Sequence, residues 1–485
     1  MQRPNVLRSA QWMRDRQVDR DGSDMVGVVN ARPGAGRHTS GRSRRRLTVS
    51  ILVAVGIGSA TAITGAPRVS ASAPGDDWAM FHRDQQHQGV SPDVVPGVST
   101  ASALTLKWKT AVPGSSSGLL GSPAVVYNST LGKDLVYEAS QGTHSTLMAI
   151  DASSGVPVWS TKLTGAIRDS VAVSGNTVYV GSHNAQLYAV NATTGAIVCT
   201  YTTTGMIEAS PVVGNVDGTG DVVFFGDIGQ GEKFNAGHLW AINGVGNTNG
   251  QCTLKWSFNS FAVTVGGTRT GSWSPPALVQ VSGVWRVVFG TTNPDEAVYA
   301  LNAATGAELW HYTTTTKGDS DVGAGPTISP PGVNGFADGV VYVDGKDQVE
   351  YALDLGTGAL IWQFDLKKNA GSGAKAICTA ALVGTNLIIT YNQYVYDLNA
   401  VSGALTWRSV ATGTAAFIAS PGISGASGNQ VIFAGDLAGT EHAYSLATGT
   451  QVFAYKAAAT IFASSSIVNG MVFFAGLDGY VYALG

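Results

Sequence analysis

The chain has 485 residues and a formal net charge of −3, with 13% charged residues and 62 glycines. So little charge amid so much Gly, Thr and Val suits short strands and tight turns, and no long segment of helical period follows Ala73. Residues 1–73 hold twelve of the arginines; the rest carries 17 basic against 28 acidic residues, which disfavours nucleic acid, since phosphate demands clustered cations.

Residues 1–42 are Arg-rich, lack hydrophobic periodicity, and read as a disordered leader or an overlong gene start. Ser43–Ala73 has the form of a secretory signal: an Arg cluster, an apolar stretch of roughly 15 residues and the small-residue site Ala71-Ser72-Ala73. Arg44-Arg45 also permits a twin-arginine route. The apolar run is shorter than the roughly 20 residues a bilayer span needs, and no second such segment follows. The expectation is an exported, monomeric chain, secreted or in the cell envelope, without a membrane span once the signal is removed. Residues 74–103 form a lead-in segment with the stretch DWAMFHRDQQHQGVSPD; its His82 and His87 are expected to pack against the body of the fold rather than bind metal.

From residue 104 onwards one pattern recurs. LMAIDASSGVPVW ends at Trp159, VYALNAATGAELW at Trp310, EYALDLGTGALIW at Trp362 and VYDLNAVSGALTW at Trp407. Each copy is strand, Gly turn, strand, and a further strand pair precedes it, giving four antiparallel strands per unit. The Trp position falls at Trp108, Trp159, Cys199, Trp256, Trp310, Trp362, Trp407 and Phe453. LTLKWKT near the start has no strands before it, and VYALG at the end has none after it. One unit is therefore split between the two ends. The fold class is all-β: an eight-bladed propeller over 104–485, closed by an N-terminal strand that completes the C-terminal blade and removes exposed edges.

The motif A-x-D/N-x-x-T-G-x-x-x-W resembles the pyrroloquinoline quinone (PQQ)-like repeat of quinoprotein alcohol dehydrogenases and of the outer-membrane-assembly propeller. The resemblance implies that Trp108, Trp159, Trp256, Trp310, Trp362 and Trp407 dock between neighbouring blades while the Thr-Gly turns orient them. For the dehydrogenases it further implies PQQ in the channel beside calcium, a catalytic Asp, an Arg, a stacking Trp and adjacent paired cysteines. The chain has no Cys-Cys pair and no C-x-x-C-H haem motif, and no catalytic residue can be assigned from the motif.

Strand parity puts the interblade loops and the loops between second and third strands on one face, where the central channel opens. The ligand-binding candidates there are Arg168, Glu208, Arg269, Trp273, Asp319, Asp321, Lys346 and Asp436, with Asp169, His183, Asp295, Glu296, Asp347, Lys375 and Asp478 on the same loops. In GNVDGTGDVVFFGD, Asp217, Thr219 and Asp221 either hold a structural calcium ion or form an Asp/Gly-rich turn. Cys199 and Cys252 fall on or beside outermost strands of adjacent blades, where a disulfide could replace the missing Trp; the alternative is unconnected thiols. Cys378 is expected buried in an innermost strand. Two functional readings remain open: a scaffold binding a protein, peptide, glycan or small molecule on the channel face, and a PQQ-dependent alcohol or sugar dehydrogenase.

Overall fold

Eight sheets follow one another around the chain, seven of them built from consecutive strands. The computed structural model describes residues 76–485, apart from 116–117, 230–236, 260–269, 315–319, 372–376, 411–412 and 414. Blade 1 consists of Ala124–Asn128, Lys133–Ala139, Thr146–Asp151 and Pro157–Lys162, from innermost to outermost strand. Blades 2 to 7 repeat this order over residues 172–202, 212–258, 277–313, 327–365, 381–408 and 422–456. Blade 8 takes Ser466–Val468, Met471–Ala475 and Tyr480–Leu484 from the C-terminus and Leu106–Ala111 from the N-terminus.

The closing strand runs antiparallel, with Leu106 opposite Leu484 and Ala111 opposite Tyr480. Thr105 and Gly485 exchange backbone hydrogen bonds of 3.2 and 3.0 Å. The two chain ends thus stand where other blades place a turn. Blade 3 departs from the four-strand pattern, because its long second strand, Val222–Gly229, also pairs with Met206–Ile207 and Thr270–Gly271.

The strand sequences explain the burial. Second and third strands, such as VVYVD and VEYALD of blade 5, are sandwiched between neighbouring blades and are almost continuously buried. Outermost strands alternate exposed and half-buried residues, as in PVWSTK.

Each repeated Trp reaches across to the next blade. Trp108, Trp159, Trp256, Trp310, Trp362 and Trp407 donate Nε1–H to the carbonyls of Ala152, Ala192, Ala303, Leu355, Ala400 and Leu446 at 2.9–3.1 Å. The turn glycine fits beneath the indole. Gly358 has φ +74°, and a Cβ there would lie 2.6 Å from the Trp310 ring. Only glycine combines this left-handed turn with so close an approach. The recurring thirteen residues therefore fasten blade to blade.

The blade 2 to blade 3 contact is made differently. Cys199 takes the Trp position, and Cys252, at φ +50°, donates its N–H to Asn243 at 2.7 Å as Gly358 does to Asp354. Cys252 thus holds the turn glycine's place, and a disulfide joins the two, with Cα atoms 6.0 Å apart at a sequence separation of 53. Such a loop adds about 4 kcal/mol through chain entropy. Cys378 is a free, buried thiol that precedes, rather than lies in, the innermost strand Ala381–Val383; burial pushes its pKa up to about 12. Thiol titration of the denatured, unreduced protein should therefore count one thiol, and a count of three would remove the bridge.

Candidate functional site

The axis is held by elements that the repeat pattern does not announce. Just before each innermost strand the chain carries a small residue, usually Ser. Ser464, Ser122 and Ser170 donate backbone N–H to the hydroxyls of Ser122, Ser170 and Ser210 at 2.8–2.9 Å. Gly325, Thr379 and Ser420 donate likewise to Thr379, Ser420 and Ser464 at 2.8–3.0 Å, while the Ser274 hydroxyl donates to the Ala324 carbonyl at 2.7 Å. A belt of side-chain hydrogen bonds thus links blades around the channel. Its signal in the sequence is the recurring Ser of GSPAV, DSVAV, ASPVV and ASPGI.

Next to this belt the lead-in segment fills the centre of the ring. Trp78 and Val125 exchange backbone hydrogen bonds of 2.8 Å, and Val173 donates to Ala79 at 2.7 Å. Leu278, Ile328, Leu382 and Ile423 donate their N–H groups to Gln85, Gln86, Gln88 and Gly89 at 2.7–2.9 Å. Gln85 reaches Val213 at 2.7 Å, and Gly470 donates to Asp93 at 3.2 Å. Residues 78–93 therefore touch the inner part of every blade. His82 and His87 are fully buried here, with ring nitrogens 2.8 and 3.1 Å from the carbonyls of Pro421 and Pro326. Burial lowers both pKa values, that of His87 to about 3, against the opposing pull of the carbonyls they face. They are polar plugs of the hub, committed to backbone carbonyls.

The loops of the channel face do lie together. Residues 183, 346, 437 and 477, in turns between second and third strands, each donate an N–H of 2.9 Å to the loop entering the same blade. Three of the candidate residues converge between blades 4 and 5. The Lys346 ammonium lies 2.5 Å from Asp321 Oδ2 and 5.3 Å from the centre of the Trp273 ring. Trp273 donates Nε1–H to the same carboxylate at 3.3 Å, and Asn293 N–H reaches its other oxygen at 2.8 Å. The ring lies against Gly323, where a Cβ would come within 2.1 Å of the indole. Cation, carboxylate and indole are held as one rigid unit.

A second group forms between blades 2 and 3. Arg168 Nη1 and His183 Nε2 lie 3.5 and 2.9 Å from Glu208 Oε1, the latter not aligned as a hydrogen bond. Neighbouring Asp169 is buried and accepts from Gly181 N–H at 3.1 Å; burial raises its pKa well above the usual carboxylate value.

Other acidic candidates brace turns. Asp436 accepts from Thr440 N–H at 2.7 Å and lies 3.1 Å from His442 Nε2. Asp295, Asp347 and Asp478 take the hydroxyls of Tyr299, Tyr351 and Tyr482 at 3.2, 2.6 and 2.5 Å, and Glu296 accepts from Ser320 N–H at 3.0 Å. Arg269, Asp319 and Lys375 lie outside the described residues.

The Asp217 loop forms an internally satisfied turn. Asp217 accepts from the backbone and hydroxyl of Thr219 at 3.0 and 2.6 Å and pairs with Lys255. Burial acts to raise its pKa, but these donors outweigh that and hold it at about 2. Asp221 offers its backbone carbonyl to Gly244 N–H at 2.7 Å and Asn247 Nδ2 at 3.0 Å. Calcium entering here would have to displace the Lys255 ammonium.

Comparison with known proteins agrees with this architecture. Residues 143–258, 294–435 and 391–485 match the family described as outer membrane protein assembly factor BamB. Among solved structures the chain is similar to a quinohemoprotein alcohol dehydrogenase from Comamonas testosteroni, with 16% identity and TM-score 0.67, over 85% of this chain and 81% of that one. A europium-containing methanol dehydrogenase gives 15% and 0.66, over 84% and 98%. BamB from Moraxella catarrhalis gives 15% and 0.57, over 79% and 99%. No curated protein matches the sequence. At these identities the structural likeness speaks for the fold alone. The family match spans more than half of the chain, so the chain belongs to the BamB family of PQQ-like β-propellers.

Proposed function

We propose that the chain is an exported binding scaffold that docks a protein or peptide on the channel face, at the Trp273–Asp321–Lys346 unit. The supporting observation is that these three residues, from three separate loops, meet with the Lys346 ammonium over the Trp273 ring. A preformed indole edged by a cation and a carboxylate offers stacking, charge and hydrogen bonding at little ordering cost, which is how interface anchors work. The lead-in segment fills the hub, so a ligand would approach from the loop side. Export and an envelope location rest on Ser43–Ala73 and on the match to a family of outer membrane assembly factors. Among the described residues no helix is long and apolar enough to cross a membrane.

The residues fit a PQQ centre less well. That cofactor is a quinone bearing three carboxylates and needs cations and a metal beside it. Here Lys346 and Arg168 already face carboxylates, and Glu138, Asp169, Glu350 and Glu441 are further buried acids. Among the described residues no three His, Cys, Asp or Glu side chains gather as metal ligands.

The docking unit is tested by cross-linking the tagged protein in its own envelope fraction, purifying the captured partner and measuring its Kd. The double variant Trp273→Ala/Lys346→Ala should weaken binding at least about tenfold, roughly 1.4 kcal/mol, while Lys107→Ala on the outer rim leaves it unchanged. Equal Kd values for wild type and the double variant would remove this unit from the interface; a glycan or small molecule binding there in place of a protein would change the ligand class.

A further inference from the structure

The repeat exposes one pair that breaks its own rule. Near the channel-face end of each blade, one residue of the second strand stands opposite a residue at the start of the third. The pairs are Ala139 with Leu147, Gly181 with Leu187, Gly226 with Leu239, Gly290 with Val298, Thr390 with Val395, Gly435 with Glu441 and Ala475 with Val481. A small residue faces a larger one throughout, and in six of these seven pairs the larger one is aliphatic. In blade 5 the pair is Asp344 with Glu350. Both are carboxylates, cross-strand neighbours with Cβ atoms about 5 Å apart.

Their surroundings sharpen the anomaly. Asp344 is 1% exposed and Glu350 is 0% exposed. All four carboxylate oxygens lack a hydrogen-bond partner among the described residues, whereas Glu441, the acid at the matching place in blade 7, receives the Ser465 hydroxyl at 2.7 Å. Asp344 shares a strand face with Tyr342, and Glu350 with Ala352; both faces pack towards Leu387 and Tyr391 of blade 6. The adjacent cation, Lys346, is held by Asp321. Asp347 adds a further negative charge, and the Cys378 thiol, within electrostatic reach, donates to the Ile418 carbonyl at 3.0 Å. Two buried carboxyls without a hydrogen-bond partner among the described residues carry a large desolvation cost when charged, which a bound cation would offset.

We propose that Asp344 and Glu350 form a buried binding site for a hard divalent cation of the calcium type, clamped between blades 5 and 6. Two carboxylates supply up to four hard oxygen ligands, the donor chemistry such an ion selects over thiol or imidazole sites. The ion would tie the second and third strands of blade 5 together at the channel face, two residues from Lys346, and so stiffen the docking unit.

The test uses the full exported chain, freed of metal by chelation, with calcium chloride as the probe. Calcium at about 1 mM should raise Tm by at least about 2 °C at pH 8. Asp344→Gly/Glu350→Val, which copies the Gly290–Val298 pair of blade 4, should fold, abolish the calcium shift and raise the calcium-free Tm by removing two buried, unpartnered carboxyls. Asp217→Asn should leave the shift intact, which separates this site from the Asp217 loop. The proposal is overturned if wild type shows no shift up to about 10 mM calcium at pH 8, or if Asp344→Gly/Glu350→Val retains the full shift.

Discussion

Deleting Leu104–Thr110 should make the chain aggregate or lose solubility. The deletion removes the outermost strand of blade 8, whose ladder to Tyr480–Leu484 joins the two ends of the molecule. It also removes Trp108 from its contact with Ala152 of blade 1, opening both the edge and the interblade seam. The exposed Tyr480–Leu484 edge, apolar and otherwise fully paired, is a template for pairing with another chain. Size-exclusion chromatography and thermal melting check this directly. A truncated chain that stays monomeric with an unchanged melting temperature would mean that the ring is not closed by the chain ends.

Trp310→Ala is the second large effect. Trp310 is 7% exposed, donates to Leu355 across the blade 4 to blade 5 seam and covers Gly358. Its removal leaves a cavity between blades, at a cost of about 3–5 kcal/mol, although the Leu355 carbonyl keeps its hydrogen bond from Arg286. Ligand affinity of the remaining folded protein should be nearly unchanged, because Trp310 takes no part in the Lys346–Asp321 group. Trp273→Ala should behave in the opposite way: about 1–2 kcal/mol of stability, since the ring is only partly covered, and a clear loss of binding. Chemical denaturation of the two variants, paired with Kd measurements, separates a docking tryptophan from a binding one. Equal stability losses would assign Trp273 to the seam.

The contrast between these two tryptophans shows how far the sequence reaches. Trp310 was legible because its role is repeated: six copies in one context identify a packing device, and the split unit at Trp108 and VYALG gives closure without coordinates. The Cys199–Cys252 bridge was legible as a possibility for the same reason, since Cys199 interrupts a periodic position. What the sequence did not convey is that Cys252 sits at the turn glycine's place, because the lengthened GVGNTNGQ turn hides the alignment. The Ser belt escaped notice because serine before a strand is too common to signal anything until the blades are seen side by side. The lead-in segment and the packing of its histidines are legible, but its partners are not: they lie up to several hundred residues away, as between His82 and Pro421, and no local pattern encodes them. On the channel face, parity placed Trp273, Asp321 and Lys346 on one side of the ring, but their meeting depends on loop paths. Asp344 and Glu350 were visible all along as letters and carried no meaning until the register set them opposite each other.

The central claim is that this propeller binds through its channel face and does not run quinone chemistry. The most direct measurement adds PQQ and calcium to the purified chain, follows the cofactor's absorbance and assays dye-linked oxidation of alcohols and sugars. The expected result is no stoichiometric change in the cofactor spectrum and no dye reduction above the protein-free rate. One PQQ bound per chain with sustained turnover would contradict the account and make the chain a quinoprotein dehydrogenase.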